Sequence, residues 1–592
     1  MQAEMPSFLF TRLRHASPHE LVHRGIEQLT WKILAKCPQF FHWLVEIPEI
    51  SSESILSLCF PQICQDNLSA CSSSLHCEEK SAPTEDSGTA ETDIRALWES
   101  ARLQQITRLF YLAQAKAQEG EPASHAFRVA ETALFQWLRD NPFLSSPHFL
   151  SVMECGLRIP VFFLALKILE LSDRQRLQLH QAIFEHGWLI RRRLSLYSSL
   201  GNHTVAECVG LVLAGTLFAQ SGQGREWFRR GLLLLEQELP HQILKDGGPA
   251  EQSLSYHRFV LDLYWFVADF LERNMLHDCS HWKPRLVQGE DFLNALADCQ
   301  ESLPNIGDSD DGRALAPGLA PLRGTPFHVL PSKRVQTFPQ SGYTVLRHDS
   351  YALLTLDHGP LGMAPLYNHG HADALALTLS VKGKQMLVDS GTYRYNGVPE
   401  WRRYFKGTTA HNTVTIDDLD QAVQVTGFIW DKPYSAQLVS CRETEWGMHL
   451  EATHNGYTRL PQPVEHRRHL LYAEEGWIIV KDMFSGRGEH AFELNLHLHP
   501  EATVMERDGW WQVCRGDAWL ALCLLEEENL IHVFGQETPI LGWYSPAYGV
   551  KQKTSVLQRR KTGSPDAVIF TVAIIFSGVP NRERLQEYAS TL

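Results

Sequence analysis

The chain has 592 residues, which is too long for a single hydrophobic core, so two or three domains are expected. Its hydrophobic fraction of 44% and charged fraction of 21% are those of an ordinary globular protein. A formal net charge of -14 without any Lys/Arg-rich block argues against a nucleic-acid partner, although basic residues gathered in one cleft could still bind an acidic polymer. No apolar run approaches the roughly 20 residues that a membrane span requires.

The N-terminal region divides into two parts. Residues 1–47 are rich in aromatic residues and predict one or two amphipathic helices. They lack the apolar core and small-residue cleavage site of a secretory signal, so the expected location is the cytoplasm. Residues 48–93 are rich in Ser, Glu, Thr, Cys and Pro, which predicts a linker or a partly disordered insertion.

Residues 94–330 are predicted to form a helical domain, in which the helical pattern runs from Ile94 to about Leu303 and a bridge rich in Pro and Gly follows. Successive amphipathic segments with short polar breaks predict roughly six to nine helices, packed as antiparallel pairs in an arc or toroid. Residues 335–592 contain short apolar runs with frequent turns and no long helix, which predicts a large antiparallel β-sandwich. The expected fold class is therefore α+β multidomain, with a cleft between the halves as the preferred ligand site.

The motif GNHTVAE in the helical half contains the first candidate site residues. Asn202 and His203 follow a Gly break where a helix begins, and Glu207 falls one turn after His203. The simplest alternative is that Asn202 is an N-cap and that His203 and Glu207 form a surface pair.

A second motif, KDGGPAEQSLSYHRF, lies at another predicted helix start. Gln252, Tyr256 and His257 occupy the first turns before the helix becomes apolar. Polar side chains at the start of an otherwise apolar helix often face a cleft, but Tyr256 could also be a half-buried core tyrosine.

The bridge motif IGDSDDG resembles a calcium loop only at first sight. When Asp308 is counted as the first position, Leu319 occupies the twelfth, where a calcium loop needs Glu. The Asp residues of this motif are instead predicted to cap a turn or to orient cleft groups from behind.

The stretch from Tyr367 to Asn412 contains the main candidates of the β half. It includes His369, His371, Asp389 and His411, and between them ALALTLSVKGKQMLV predicts a β-hairpin. Three imidazoles and a carboxylate brought together by strand pairing could form a metal site, an acid/base site, or both.

These motifs occur together in an order that resembles the heparinase II/III family of polysaccharide lyases, including its alginate-lyase relatives. The resemblance covers roughly residues 95 to 590 and includes GGPAEQSLSYHRF, NHGHADALALTLSVKGKQMLVDSGTYRY and WRRYFKGTTAHNTVTID. It implies an N-terminal incomplete (α/α) toroid followed by a C-terminal antiparallel β-sandwich, in agreement with the patterns above.

The resemblance implies β-elimination of a polysaccharide that contains uronic acid. Asn202 matches the residue that neutralises the substrate carboxylate. Tyr256 matches the tyrosine that protonates the departing O4 and that, for some stereochemistries, also removes the C5 proton. His369 matches the base that removes the C5 proton. His371, Asp389 and His411 match the ligands of one structural zinc ion, and no organic cofactor is expected.

Further residues are predicted to contact the substrate: His203, Glu207, Gln252, His257, Arg402 and Arg403. Arg402 and Arg403 are also candidates for the positive charge that would lower the pKa of the Tyr256 phenol, whose ordinary value is about 10.

Two other functions stay open. One is a non-catalytic glycan-binding or exopolysaccharide-assembly protein, and the other is a zinc-dependent hydrolase. The expected partner is an acidic polysaccharide or oligosaccharide, and the absence of a marked basic surplus favours an unsulfated uronate such as alginate or an exopolysaccharide. The family resemblance gives the periplasm or cell envelope as an alternative location, and a homodimer stays open.

Overall fold

The computed structural model of the chain describes residues 25, 41, 45–48, 50, 57–65, 93–118, 124–145, 147–197, 200–300, 302–309, 312–323, 334–348, 351–526, 529–578 and 582–592. Most of the predicted helical segment 1–47 and most of the predicted linker 48–93 lie outside these residues. Within them, no helix is both long enough and apolar enough to cross a membrane.

The first half of the described chain is helical, as predicted. Nine helices follow one another, α1 to α9: Ile94–Ser100, Gln104–Gln118, Ser124–Asp140, Val152–Ile168, Asp173–Arg193, Asn202–Leu217, Gly222–Gln242, Leu254–Arg273 and Lys283–Leu296. Helices α4 and α6 are apolar on nearly every face and are buried, whereas α8 is amphipathic. Helix α6 therefore lies at the centre of the helical half, where it packs against α4, α7 and α8.

The second half is built from antiparallel sheets. A five-stranded sheet joins β3 to β7 in sequence order: Val335–Phe338, Tyr343–His348, Ala352–Asp357, Leu377–Val381 and Lys384–Leu387. An eight-stranded sheet has the order β11-β12-β13-β14-β25-β18-β17-β16, with bounds Ala436–Thr444, Gly447–His454, Val464–Ala473, Trp477–Gly486, Ile569–Ile575, Ala518–Leu524, Trp510–Arg515 and Thr503–Arg507.

Smaller sheets complete this half. A four-stranded sheet has the order β19-β24-β15-β8: Ile531–Phe534, Ser555–Gly563, His490–His497 and Val414–Ile416. Three two-stranded pairs are β9 with β10, β20 with β21, and β22 with β23: Val423–Gln424, Trp430–Asp431, Gln536–Glu537, Ile540–Leu541, Trp543–Ala547 and Val550–Lys553. Two short helices, α10 (Pro399–Lys406) and α11 (Arg582–Ser590), lie between and after the strands.

The five-stranded sheet connects the two halves because both of its faces are buried. Tyr343, Val345 and Leu353 belong to the core of the helical half. Leu346 and Leu354, which alternate with them, belong to the core shared with the eight-stranded sheet. This alternation follows from the two-residue period of a strand. The sheet is thus one layer of the sandwich and also the surface on which the helices pack.

Two local predictions can be compared with the structure. The hairpin predicted around Lys382 and Gly383 is confirmed: β6 and β7 pair antiparallel across it, and both turn residues have positive φ. The segment 48–93 is not only a linker, because β1 (Ile63–Gln65) within it pairs with β2 (Leu319–Pro321). The backbone of this segment therefore contributes one strand of a two-stranded sheet in the helical half.

Candidate active site

Helix α6 begins in the motif GNHTVAE and has Asn202 and His203 in its first turn. Gly201, rather than Asn202, is the N-cap of this helix. Its φ of 120° is rarely adopted by residues with a side chain, and a Cβ there would lie 2.2 Å from Glu251 Oε1. Glycine at this position therefore lets the start of α6 approach Glu251.

The Glu251 carboxylate fixes the orientation of Asn202. Its Oε1 accepts a hydrogen bond from the Asn202 backbone N–H at 2.7 Å, and its Oε2 accepts one from Asn202 Nδ2 at 2.8 Å. Asn202 is 1% exposed, and its Oδ1 has no hydrogen-bond partner among the described residues. Because buried polar atoms are normally paired, this oxygen is suited to a ligand group that enters the cleft.

Tyr256 lies in the first turn of α8, which is capped by Ser253. The Ser253 hydroxyl accepts a hydrogen bond from the Tyr256 backbone N–H at 3.2 Å and donates one to the Asp308 carbonyl at 2.8 Å. The phenol oxygen of Tyr256 lies 2.8 Å from that of Tyr395, in the β half. The Ser253–Asp308 contact joins the start of α8 to the bridge, and the Tyr256–Tyr395 contact joins it to the β half.

His369 comes from the long loop between β5 and β6, and its ring faces Tyr256. The two ring centroids are 4.2 Å apart. His369 Nδ1 lies 3.0 Å from Asp308 Oδ2, and its Nε2 lies 3.6 Å from Glu251 Oε2. Because an ionised carboxylate can only accept a hydrogen bond, Nδ1 carries the proton and Nε2 is left as the basic nitrogen.

Asp308 is fully buried behind the cleft and holds three side chains. Arg402 binds it through two hydrogen bonds of 2.5 and 2.8 Å, and His371 Nε2 lies 3.1 Å from its Oδ1. Burial raises the pKa of Asp308, but the Arg402 charge and the hydrogen bonds from His369, His371 and Arg402 hold that pKa well below its usual range. The prediction that an Asp of the bridge orients cleft groups from behind is confirmed for Asp308.

These residues surround a cavity of about 340 Å³ between the helical half and the β half. Asn202, His203, Tyr256 and His369 all line it. The structure therefore brings together the three predicted catalytic residues and one predicted substrate-binding residue. They come from α6, α8 and a sheet loop, so the site exists only where the two halves meet.

Burial shifts the pKa values of two ionisable groups at this site in opposite directions. Burial lowers the pKa of His203 to about 4, and the nearby His369 acts in the same direction. Burial also raises the pKa of Glu251, although His369 and the hydrogen bonds from Asn202 oppose that rise. His203 is therefore neutral at neutral pH and can donate a hydrogen bond without adding charge.

Several cavity-lining residues have no motif that marks them in the sequence. The Arg95 guanidinium lies 4.9 Å from the ring centroid of Tyr395 and 4.1 Å from that of Tyr548. Arg102 pairs with Glu154 through two hydrogen bonds of 2.8 and 3.0 Å, and both side chains are buried. An arginine in an amphipathic helix usually faces solvent, so helical spacing alone does not identify one that faces a cleft.

Five of the six residues predicted to bind substrate lie outside the cavity lining, and two of these, Glu207 and His257, belong to helices α6 and α8. Glu207 is fully buried, and its carboxylate accepts hydrogen bonds of 2.7 Å from the Ser195 backbone and hydroxyl. Helix α6 is buried on nearly every face, and the Glu207 side chain therefore contacts Ser195 in the segment before the helix. His257 is also buried and packs edge-on against Phe292, with ring centroids 5.6 Å apart. Neither placement supports contact with a substrate.

Gln252, also predicted to bind substrate, joins the helical half to the first sheet. Its Nε2 donates to the Ser341 carbonyl at 3.0 Å, and its Oε1 accepts from the Tyr343 hydroxyl at 2.8 Å. These buried bonds satisfy its side-chain amide, so its place in the structure is that of a link between the halves.

The adjacent residues Arg402 and Arg403 have different surroundings. Arg402 is 1% exposed, binds Asp308 and lies with its guanidinium 4.8 Å from the Tyr395 ring centroid. Its charge therefore lies one aromatic ring away from Tyr256, and each of its three guanidinium nitrogens donates a hydrogen bond within the protein. Arg403 is exposed and is not among the residues that line the cavity. The structure thus gives neither arginine a direct contact surface in the cleft.

The predicted metal ligands form a separate buried group next to His369. One ligand atom each from His371, Asp389 and His411 lies within 4.8 Å of the other two. His411 Nδ1 is 2.8 Å from Asp389 Oδ2, whereas His371 Nδ1 and His411 Nε2 have no hydrogen-bond partner among the described residues. None of the three residues lines the cavity.

This group fits a zinc ion in its chemistry. Two imidazoles and a carboxylate are ligands that zinc prefers, and the unpaired ring nitrogens are buried polar atoms that need a partner. His371 Nε2 contacts the carboxylate of Asp308, an arrangement that commonly orients a histidine whose other nitrogen binds metal. Burial lowers the pKa of His371 to about 4, although Asp308 opposes that shift, so the ring is in the neutral form that binds metals.

Family models match both halves of the chain. The model described as "Heparinase II/III N-terminus" matches residues 123–314, and the model described as "Heparinase II/III-like, C-terminal" matches residues 330–584. Together these matches cover most of the sequence.

Curated relatives agree with these matches. A heparin-sulfate lyase of Bacteroides stercoris is 24% identical over 432 residues, which are 64% of this chain and 58% of that protein. A heparin-sulfate lyase of Bacteroides thetaiotaomicron is 23% identical over 350 residues, which are 51% of this chain and 47% of that protein. The chain thus spans about half the length of the curated relatives it matches.

Solved structures show the same fold. A crystal structure of heparinase III aligns with a TM-score of 0.65 at 17% identity and covers 92% of this chain and 90% of that one. A heparan sulfate lyase variant from Pedobacter heparinus aligns with a TM-score of 0.57 at 17% identity and covers 83% and 78%. Both halves, their order and the residues matched in each show that the chain belongs to the heparinase II/III family.

Proposed function

We propose that the chain is a polysaccharide lyase that cleaves a uronic-acid-containing glycan by β-elimination. The observation that carries this proposal is the meeting of Asn202, Tyr256 and His369 in one cleft between the two halves. Family membership and the heparin-sulfate lyases among the relatives support the same reaction class.

In the proposed reaction, the substrate carboxylate lies against Asn202 and His203. The C5 proton of a uronate is only weakly acidic because its removal moves charge onto a carboxylate that is already ionised. Neutral hydrogen-bond groups directed at that carboxylate stabilise the added charge in the transition state. Glu251 accepts one hydrogen of Asn202 Nδ2, so the second hydrogen of this nitrogen is the one that can donate to the carboxylate. His203 is neutral and can donate its single ring N–H.

His369 Nε2 then takes the C5 proton, because Asp308 holds the proton of the ring on Nδ1. The electrons of the C5–H bond form the C4–C5 double bond while the C4–O4 bond breaks. Tyr256 donates its phenol proton to the departing oxygen. The products are an unsaturated uronate end and the free hydroxyl group of the neighbouring sugar, and water is not consumed.

His371, Asp389 and His411 would hold the proposed zinc ion, which when bound would tie three segments of the β half together. The protein itself positions His369 through the Asp308 contact. The buried group does not line the cavity, whereas a hydrolytic zinc site keeps a position open to its substrate. We therefore favour elimination over zinc-dependent hydrolysis.

The charges that line the cavity favour a substrate with carboxylates and few sulfate groups. Arg95 and Arg102 are the arginines among the described lining residues, and Arg102 is neutralised by its two hydrogen bonds to Glu154. Aromatic and apolar lining side chains, including Trp98 and Phe428, provide surfaces for sugar rings instead.

A panel of uronate polymers, both sulfated and unsulfated, tests the proposal. Elimination creates a conjugated double bond whose ultraviolet absorbance rises with time. The wild-type chain should produce that rise on at least one polymer, and Tyr256→Phe and His369→Ala should lower the rate by roughly 10²–10⁴-fold. Tyr351→Phe, which changes a tyrosine of the β half outside the cleft lining, is the matched control. Polymer binding without any absorbance change would support the non-catalytic alternative.

A further inference from the structure

A second group of metal-ligand side chains lies on the surface of the helical half. Glu236 belongs to α7, and His277 and His281 belong to the connection between α8 and α9. His277 Nε2 is 3.1 Å from a Glu236 oxygen, and His281 Nε2 is 3.1 and 3.0 Å from the two Glu236 oxygens. One ligand atom from each residue lies within 4.8 Å of the other two. None of the three lines the cleft.

Local packing holds the two imidazoles in this arrangement. Both rings lie against the fully buried indole of Trp282, with centroid distances of 6.2 Å for His277 and 6.0 Å for His281. Between them, the Asp278 carboxylate accepts a hydrogen bond from the Ser280 backbone N–H at 2.9 Å and closes the turn. The positions of the two ring nitrogens are therefore set by the protein, which reduces the entropy lost when a ligand binds.

The nitrogen-to-oxygen spacing in this group is close to that of neighbouring ligands around one ion. Zinc bonds of about 2.1 Å in tetrahedral geometry place neighbouring ligand atoms roughly 3.4 Å apart. The nitrogen-to-oxygen distances of 3.0 and 3.1 Å are close to that value.

We propose that Glu236, His277 and His281 bind one zinc ion, with a fourth position occupied by water. The side chains are 33%, 29% and 53% exposed, so an ion can reach the site from solvent. Two imidazoles and one carboxylate suit zinc better than calcium or magnesium, which prefer oxygen ligands. The bound ion connects α7 to the α8–α9 connection and stabilises the helical half independently of the cleft.

Zinc binding by the full chain, purified without a histidine tag, tests the site. Titration calorimetry should show one zinc equivalent fewer for His281→Ala than for the wild type. His241→Ala is the matched control, because His241 is also exposed on α7 and lies 3.9 Å from a different carboxylate, Glu238. That control should bind as many equivalents as the wild type. Equal zinc stoichiometry in the wild type and in folded His281→Ala would overturn the proposal.

A second measurement needs no variant and therefore does not depend on folding of His281→Ala. Diethyl pyrocarbonate modifies accessible imidazoles, and peptide mass mapping locates the modified histidines. Zinc should protect His277 and His281 in the wild-type chain while leaving His241 reactive. Modification of His277 and His281 at the same rate with and without zinc overturns the proposal.

Discussion

Tyr256 and His369 face each other with ring centroids 4.2 Å apart, although they come from opposite halves of the chain. Tyr256 is fixed by the Ser253 cap of α8, and His369 is fixed by Asp308 in the bridge. The Ser253 hydroxyl also donates to the Asp308 carbonyl. Asp308 thus contacts His369 directly and contacts the Ser253 cap that fixes Tyr256, so one bridge residue positions both members of the proposed acid and base pair.

Glu251→Gln should lower the rate of elimination without unfolding the protein. Both Glu251 oxygens accept hydrogen bonds from Asn202, and an amide nitrogen in place of one oxygen cannot accept. A misplaced Asn202 amide should lower kcat/KM by up to ~10²-fold, since small displacements at a catalytic centre have large effects. Steady-state kinetics checks this, with Glu238→Gln as a control at a buried carboxylate outside the cleft lining. Unchanged kinetics for Glu251→Gln would remove Glu251 from the account.

Arg402→Ala and Arg403→Ala should have very different effects on stability. Arg402 is buried in a two-bond ion pair with Asp308, and its removal leaves a buried charge without its main partner. The free energy of unfolding should fall by about 3–5 kcal/mol. Arg403 is exposed, so its removal should change that free energy by no more than about 1 kcal/mol. Denaturant unfolding measures both, and similar values for the two variants would contradict the placement of Arg402.

His257 should make the folded protein less stable in acid. Burial lowers its pKa to about 4 in the folded chain, from an ordinary value of 6.5. The unfolded chain therefore binds more protons between these values, so stability is lost as pH falls from about 6.5 towards 4. The full contribution is ~3 kcal/mol. His257→Gln should show a shallower fall of unfolding free energy over this range, whereas the exposed His241→Gln should follow the wild type; parallel curves for all three proteins would refute this role.

Removal of zinc should destabilise the β half if His371, Asp389 and His411 hold the ion. At a free zinc concentration ~1,000-fold above Kd, binding contributes about 4 kcal/mol to the folded state. In a His281→Ala background, which removes the surface site, a chelator should lower Tm and added zinc should restore it. Adding His371→Ala to this background should lower Tm to the value seen with the chelator, and that Tm should not respond to zinc. If the chelator leaves the Tm of the His281→Ala chain unchanged, the buried site contributes no zinc-dependent stability.

The fold was largely predictable from the sequence because its signals are local. The helical period over α4 to α9, the strand period after Val335 and the Lys382-Gly383 turn each depend on neighbouring residues. The three residues of the proposed chemistry were predictable because their motifs are distinctive. Their assembly into one cleft follows from how the two halves pack.

The substrate-contact residues were harder to predict because spacing does not show which way a side chain is directed. Glu207 and His257 lie beside site residues in sequence but are enclosed by core, and Arg402 is occupied by Asp308. Arg95 lines the site without any motif, and Glu251 lies in a motif that predicted only its neighbours as site residues. Only the packing of the two halves separates these cases.

The most direct test of the central claim uses a uronate polymer that the chain cleaves. The reaction is run in water labelled with oxygen-18. Elimination forms no bond to oxygen from water, so mass spectrometry should find products without the label that carry an unsaturated uronate end. Tyr256→Phe and His369→Ala should each lose this product. Products that incorporate labelled oxygen and lack the double bond would show hydrolysis and contradict the account.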